Sequence, residues 1–561
     1  MIKYFKILFL LIVAATQAHA EVYRVSSENE LDAAVAKVIP GDTVLLASGN
    51  WNDVELEFKG DGTELSPIVF AAETLGQTIF TGNSRIEISG SWLVVRDFIF
   101  RDGDISSSGH IVAFRTGTSE LAHNCRLTNV TIENYNPANG NVDTKYVSLY
   151  GTHNRVDHCS FSGKTNSGAT FVVWLDATPD YHLIDHNYFG PRQDLGENGG
   201  ETIRIGTSDW ESYNSNCTVE YNVFEECDGE IEIISNKSVG NHYRYNTFSN
   251  CEGTLTLRHG SDCWVYGNFF FGDGQKRSGG VRIIGPGHRV YNNYMENLAG
   301  DGYRAAICLM NGVPNSPANR YRQVDDAKVG FNTIVNCKEP FMIGAGANDE
   351  LSLAPINSFI EDNLVVSQQG RDLVDVDEDS NADGVTWKGI YTDAETIGIT
   401  ADGFIQTELP MVLSGAMQTP AAENPVIGAA VPGVFDTLSV DIDGQTRPET
   451  AKDAGCDQLS DEAKTIQPLT KSDVGADYDV PTYSEIIKAA KPKIWLSQGI
   501  LKVNFENEKE RTLSMFTIDG KLLAQSSVYA QNVTKSVTNF PRIFIVEIRD
   551  VQNRYAVKLI R

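Results

Sequence analysis

Basic residues are scarce in this chain of 561 residues. Lys and Arg number 46 against 74 Asp and Glu, a formal net charge of −28. A general nucleic-acid binder needs the opposite sign, because it must neutralise phosphates. Any anionic ligand is repelled at long range, so an anion site must be built from a local basic cluster or a bound cation. Proline is sparse at 19, while glycine is high at 49 and asparagine is abundant. That mix favours many tight turns and works against coiled coils and helical bundles. The nine cysteines are odd in number and widely spaced, with no CxxC pair. No zinc pattern is present, and buried free thiols are favoured, with one or two bridges left open. After the first twenty residues no stretch reaches the ~18 apolar residues a membrane span needs. Hydrophobic residues still make up 41% of the chain, which excludes wholesale disorder.

The first twenty residues read as an address. Lys3 and Lys6 give a positive start, Ile7 to Ala15 an apolar run, and Ala18-His19-Ala20 a small-x-small cleavage signal. Residues 1–20 are therefore expected to be a secretory signal peptide, with the mature protein secreted or held at the cell surface.

Internal repeats decide the fold class. A short apolar strand followed by Asn-x-aromatic or Asn-x-aliphatic recurs with its asparagine at Asn187, Asn222, Asn246, Asn268, Asn293, Asn332 and Asn363. The spacings are 35, 24, 22, 25, 39 and 31, and Cys159-Ser160-Phe161 fits the same slot with cysteine in place of asparagine. The strands are β-branched and aromatic, which disfavours helix pairs. A turn of 22 to 25 residues is too short for a propeller blade. Stacked turns of three short strands fit: an all-β, right-handed parallel β-helix whose asparagines line one corner, taking left-handed backbone and bonding to their neighbours. A β-sandwich is the competing fold, but hairpin dipeptides are scarce in this stretch.

A solenoid needs its first turn covered. Ser27 with Glu30 three positions on, then Leu31, Ala34 and Val35 at helical spacing, predict an N-terminal cap helix. The repeat region spans 21–470, and a proline-bearing linker covers 471–493. Residues 494–561 read as a small antiparallel β-sandwich of alternating strands with Gly turns. Its place at the end of the chain and its Lys558-Leu559-Ile560-Arg561 ending resemble the sorting domains of the type IX secretion system, which implies secretion machinery as a partner. A glycan-binding accessory module is the alternative.

Four repeat strands align by eye: Thr202 to Gly206, Glu230 to Ile234, Thr254 to Arg258 and Gly280 to Ile284. Side chains alternate between faces along a strand. Ile231, Ile233, Leu255, Leu257, Val281 and Ile283 are thus expected inside. Glu230, Glu232, Thr256, Arg258, Arg204 and Arg282 are expected outside on one sheet, with Lys237 and His259 just past the strand ends. An outward strand face is polar in any case, so a single Arg or Glu there carries little. Two carboxylates two residues apart, however, cannot both ionise cheaply without a compensating cation. A hard cation with oxygen ligands, such as calcium, fits, and Asn198 one turn earlier could add a third oxygen.

These fragments, Asn198-Gly-Gly-Glu-Thr-Ile-Arg-Ile-Gly206, Glu230-Ile-Glu-Ile-Ile-Ser-Asn-Lys237, Leu257-Arg-His-Gly260 and Gly280-Val-Arg-Ile-Ile-Gly285, resemble polysaccharide lyase family 6, the β-helix lyases that include alginate lyases and chondroitinase B. The resemblance covers roughly residues 21 to 470. It implies Asn198, Glu230 and Glu232 as calcium ligands, Lys237 as Brønsted base and Arg258 as acid. His259, Arg282 and Arg204 take substrate-binding places. The implied substrate is an anionic uronate polysaccharide, alginate above all, cleaved by calcium-assisted β-elimination. A dermatan sulfate or chondroitin lyase stays open, because Arg304, Arg320 and Arg322 could serve a sulfate. Other rivals are a hydrolase using Glu230 and Glu232 as its acid pair and a non-catalytic glycan-binding β-helix.

Overall fold

The computed structural model describes residues 20–196, 198–367 and 370–476, and strands of a C-terminal unit between 493 and 560. The expected signal peptide, apart from Ala20, lies outside the described residues, as does most of the expected linker. The chain divides into two compact units, Met1–Ala476 and Asp477–Arg561.

The first unit is a right-handed parallel β-helix. Among the described residues its strands form three parallel sheets of 14, 13 and 14 strands, each strand pairing with its counterparts one turn before and after. The core is a continuous file of fully buried side chains, among them Leu127, Val156, Ile184, Val219, Tyr243, Val265 and Val290 from one sheet. Phe189, Phe224, Phe248 and Phe270 stack on one another at 4.6–4.9 Å, the spacing of the strands that carry them. No turn could bury these residues alone, so stacking supplies the apolar contact that a single rung lacks.

The asparagine column is the corner that sets this spacing. The backbone N–H and the side-chain Nδ2 of Asn222 both donate to Asn246 Oδ1, at 3.1 and 3.0 Å. Asn246 does the same to Asn268, and Asn268 to Asn293. The chain continues from Asn293 to Asn332 and from Asn332 to Asn363. Asn187 and Asn222 open it, and Cys159 joins with its own N–H on Asn187 Oδ1 at 3.0 Å. One expectation is corrected: the left-handed residue is not the asparagine but the one before it. His186, Tyr221, Tyr245, Asn292, Phe331 and Asp362 all have φ between 52 and 57°. The strain falls on that residue because the asparagine needs its own side chain aimed along the stack.

The cap helix α1 runs Glu28–Val35, with Ser27 accepting from Glu30 N–H, and Leu31 and Ala34 buried. The Glu30 carboxylate reaches back to Ser26, accepting from its N–H at 2.7 Å and its hydroxyl at 2.9 Å. All nine cysteines are buried free thiols. The last parallel strand is Phe404–Gln406. Residues 421–476 add no further rung among those described. They run back along the outside, with Gly455 N–H on Asp362 O, Cys456 N–H on Thr333 Oγ1, Leu469 N–H on Thr247 Oγ1 and Gly475 N–H on His186 O. Among the described residues the second unit has a three-stranded and a four-stranded antiparallel sheet, with Leu501, Val503, Leu513, Met515, Val546 and Ile548 in its core.

Replacing Asn246 with Ala leaves the Asn222 donors without their acceptor in a dry interior. An unsatisfied buried donor costs about 1–3 kcal/mol. Asn246→Ala should therefore lower stability by about 2 kcal/mol or more in denaturant titration. A change below ~0.5 kcal/mol would show that the ladder is dispensable.

Candidate active site

The site lies on the 13-stranded sheet. Its successive strands are β1 (Gly109–Ala113), β2 (Thr144–Leu149), β3 (Phe171–Val173), β4 (Ile203–Ile205), β5 (Glu232–Lys237), β6 (Gly253–His259), β7 (Ser278–Ile283) and β8 (Ile307–Met310). The register puts Arg204 opposite Ser235, Ser235 opposite Thr256, and Thr256 opposite Arg282.

Strand β5 departs from simple alternation. A bulge falls between Glu232 and Ile234, and a second irregularity between Asn236 and Lys237. Ile231, expected inside, is only half-buried, whereas Ile233 and Ile234 are both in the core. The extra residue flips the second half of the strand, so Ser235 faces out and Asn236 faces in. Asn236 is fully buried but satisfied. Its Nδ2 donates to Ser238 O and His259 O, and its Oδ1 accepts from Asn241 and from the Tyr243 hydroxyl. This inner polar knot anchors the strand end that carries Lys237, which pairs across to His259 rather than to Arg258.

On the outer face two groups form. In the first, Arg282 Nη2 donates to Glu232 Oε1 at 2.6 Å, Arg258 Nε lies 3.7 Å from the same oxygen, and the Ser235 hydroxyl donates to Oε2. Arg258 is held from outside as well. Its guanidinium lies 4.0 Å from the centre of the Tyr321 ring, and its Nη1 donates to Arg320 O at 3.1 Å. Burial lowers its pKa below that of a free guanidinium. In the second group, Glu201 Oε1 lies 3.9 Å from Lys237 Nζ and 4.0 Å from Arg204 Nη1. Glu201 is buried, and its Oε2 has no hydrogen-bond partner among the described residues. Buried Arg192 holds the Glu201 backbone, Nη1 donating to its carbonyl at 2.8 Å.

Glu230 lies within electrostatic reach of both groups. Burial, then Glu201 and Glu232, push its carboxyl up to about 8, against the opposing pull of Lys237 and Arg192. Three glutamates thus crowd one small surface, which is the condition a hard cation relieves. Among the described residues no three His, Cys, Asp or Glu side chains are already gathered into a cage. The donor chemistry nevertheless fits such an ion, because the unpartnered Glu201 Oε2 is an oxygen in need of a positive partner. Asn198 is exposed on the loop before β4.

His259, expected at a substrate-contact place, has a side chain only 1% exposed. Its Nε2 is 3.1 Å from Ser208 Oγ, and its Nδ1 lies 3.4 Å from Glu211 Oε2. Burial, Arg258, Lys237 and Arg322 push its pKa down to about 3, so the ring is neutral. In this structure its ring is buried against Ser208 and Glu211. Glu201 was missed by the sequence reading, although it stands immediately before the aligned strand Thr202 to Gly206. Tyr321 was missed because it sits on a loop whose placement no repeat spacing encodes.

The family model described as chondroitinase B matches residues 25–426. A comparison with curated proteins gave no match. Among solved structures, the family 6 alginate lyase AlyGC is 36% identical with a TM-score of 0.73, covering 82% of this chain and 59% of its own. The chain thus spans about three fifths of AlyGC's length. A mannuronic-acid-specific family 6 lyase from human gut microbiota is 30% identical with a TM-score of 0.64, covering 70% of this chain and 92% of its own. The family 6 lyase Pedsa3628 from Pseudopedobacter saltans, at 24% identity and a TM-score of 0.63, shares the fold. With the model spanning most of the β-helix and AlyGC aligned over four fifths of the chain, this protein belongs to the chondroitinase B family, polysaccharide lyase family 6.

Proposed function

We propose that the chain is a polysaccharide lyase that cleaves 4-O-linked uronate polymers, alginate first among them, by β-elimination. The observation that carries this reading is the pairing of Lys237 and Arg258 with Glu201, Glu230 and Glu232 on one sheet face. Arg282 and Arg204 are placed to orient the substrate's carboxylates. Lys237, in its neutral form, removes the C5 proton of the uronate. The electron pair left behind forms the C4–C5 double bond as the C4–O4 bond breaks, and the departing alkoxide takes a proton from Arg258. Tyr321 and the Arg320 carbonyl hold the Arg258 guanidinium in a fixed plane for that transfer. Calcium would be held by Glu230, Glu232 and Asn198, to which we add Glu201. Bound there, it would neutralise the uronate carboxylate and make the C5 proton easier to remove.

Alginate is favoured over a sulfated polymer on two counts. The AlyGC and gut-microbiota relatives are described as an alginate lyase and a mannuronic-acid-specific lyase. Arg320, a candidate sulfate partner, is already paired with Glu350. A hydrolase pair at Glu230 and Glu232 fits poorly, because Arg258 stands beside Glu232 and Lys237 lies within electrostatic reach of Glu230, an arrangement that suits elimination better. We further propose that the protein is exported by an N-terminal signal and that the C-terminal unit is a type IX sorting domain.

Lys237→Ala should lower the rate of unsaturated-product formation, read as ultraviolet absorbance, by about two or more orders of magnitude. Its melting temperature should stay near that of the parent, since Lys237 adds nothing to the core. Retention of more than about a tenth of the activity would remove Lys237 as the base. Glu201→Gln, Glu230→Gln and Glu232→Gln should each raise the calcium concentration needed for half-maximal activity. Activity unaffected by strong chelators in metal-free protein would sink the calcium role and leave the lyase reading standing. Deleting 494–561 should leave catalysis intact in purified protein and block export in the native host. Normal export with weakened polymer binding would instead make this unit a glycan-binding module.

A further inference from the structure

The outer face of the sheet carries a second column of side chains that the proposed chemistry does not use. Along the register, Ala113, Ser148, Val172, Arg204 and Ser235 form one outward row across β1 to β5. Two residues further on stand Arg115, Tyr150, Trp174 and Gly206, each just past the end of its strand, and Lys237, the last residue of β5. One column therefore begins at Arg115 and ends on the candidate base.

Its members are layered. The Arg115 guanidinium lies 3.9 Å from the centre of the Tyr150 ring. Tyr150 and Trp174 are stacked with centroids 6.1 Å apart and planes 9° from parallel. Arg204 lies 5.2 Å from the centre of the Trp174 ring. Tyr150 and Trp174 are half-buried, so their edges reach the surface. Gly206 follows, with φ +82°, and a Cβ there would come within 2.9 Å of Lys237 O, so glycine lets this rung pack closely against the one that carries Lys237.

The column is positively charged in a protein of net −28. Among the described residues Arg115 makes no close ion pair and no side-chain hydrogen bond; its cation lies over the Tyr150 ring and within electrostatic reach of Glu87 on the rung before. Beside it, His110 bonds Ser148 Oγ at 2.7 Å through Nδ1 and lies 3.4 Å from the Tyr150 hydroxyl through Nε2. Burial, then Arg115, Lys145 and Arg85, hold the His110 pKa at about 4, against the pull of Asp143. A guanidinium with no carboxylate in direct contact, backed by an aromatic plane, can receive a planar anion.

We infer that Arg115, Tyr150 and Trp174 form an outlying subsite of the same groove, which holds a uronate residue several sugars from the bond cleaved. The inference rests on the lyase reading for its ligand class. Four strand spacings separate the Arg115 level from the Lys237 level, about 19 Å at ~4.8 Å per rung. Only an oligomer of several units can touch both. Arg115 pairs with a uronate carboxylate, and the exposed edges of Tyr150 and Trp174 meet the apolar face of a sugar ring.

The test compares oligouronates of two lengths on full-length protein. Arg115→Ala and Trp174→Ala should each lower kcat/KM on octamers by roughly tenfold more than on trimers, the loss of one charge-assisted contact, and the change should fall in KM. Arg115→Lys should retain part of the effect, because it keeps the charge and loses the planar contact. Equal losses on both lengths, or none, would overturn the subsite. Melting temperatures separate a folding defect from a binding one. Calorimetry of octamer binding to the parent and to Arg115→Ala protein needs no turnover. If the parent cleaves no uronate polymer, the lyase reading fails, while equal octamer affinity in the two proteins defeats the subsite separately.

Discussion

Everything in the β-helix depends on one hydrogen-bonding constraint. At the corner between two sheets the chain turns on a single left-handed residue, and the next backbone N–H points into a dry interior. The asparagine column answers it by offering one carbonyl oxygen to two donors from the previous rung, over seven rungs from Asn187 to Asn363. Because each bond spans adjacent rungs, the column sets their spacing and holds their register. Loop insertions can lengthen the interval from 22 to 39 residues without disturbing it, since extra residues leave and return between fixed corners. The candidate site needs that register, because its residues come from strands that meet only through stacking.

The site itself is made by a local breach of the same regularity. A perfect period of two along β5 would point Asn236 outward and Ser235 inward. The bulge after Glu232 reverses this, and the interior accepts Asn236 only because Asn241, Tyr243 and two carbonyls satisfy it. A buried amide without those partners would cost several kcal/mol. The reward is positional: Glu232 turns toward Arg258 and Arg282, while Lys237 turns toward Glu201 and Arg204. One strand thereby serves two clusters, each a glutamate beside two basic side chains, on one surface of an acidic protein.

The sequence and the tertiary structure divide the protein between them along physical lines. Composition and the Asn-x-aromatic repeat were enough for the parallel β-helix, because a ladder that bonds like to like must recur visibly in the chain. The cap helix was legible from Ser27, Glu30, Leu31 and Ala34, since a cap is a local matter of three or four residues. The neighbourhood of Glu232, Arg258 and Arg282 was also legible, because strand alternation and rung spacing together bring such positions near one another. Tertiary structure alone decided the rest. It showed that the left-handed residue precedes the asparagine, that Ile231 stays out of the core, that His259 is buried, and that Glu201 belongs beside Lys237. It also placed Tyr321 over Arg258 and layered Arg115, Tyr150 and Trp174 into one column. The reason is common to all of these: periodicity in a sequence reports the average rung, whereas a bulge, a burial or a ring laid over a guanidinium is set by what the neighbouring rungs and loops place against it.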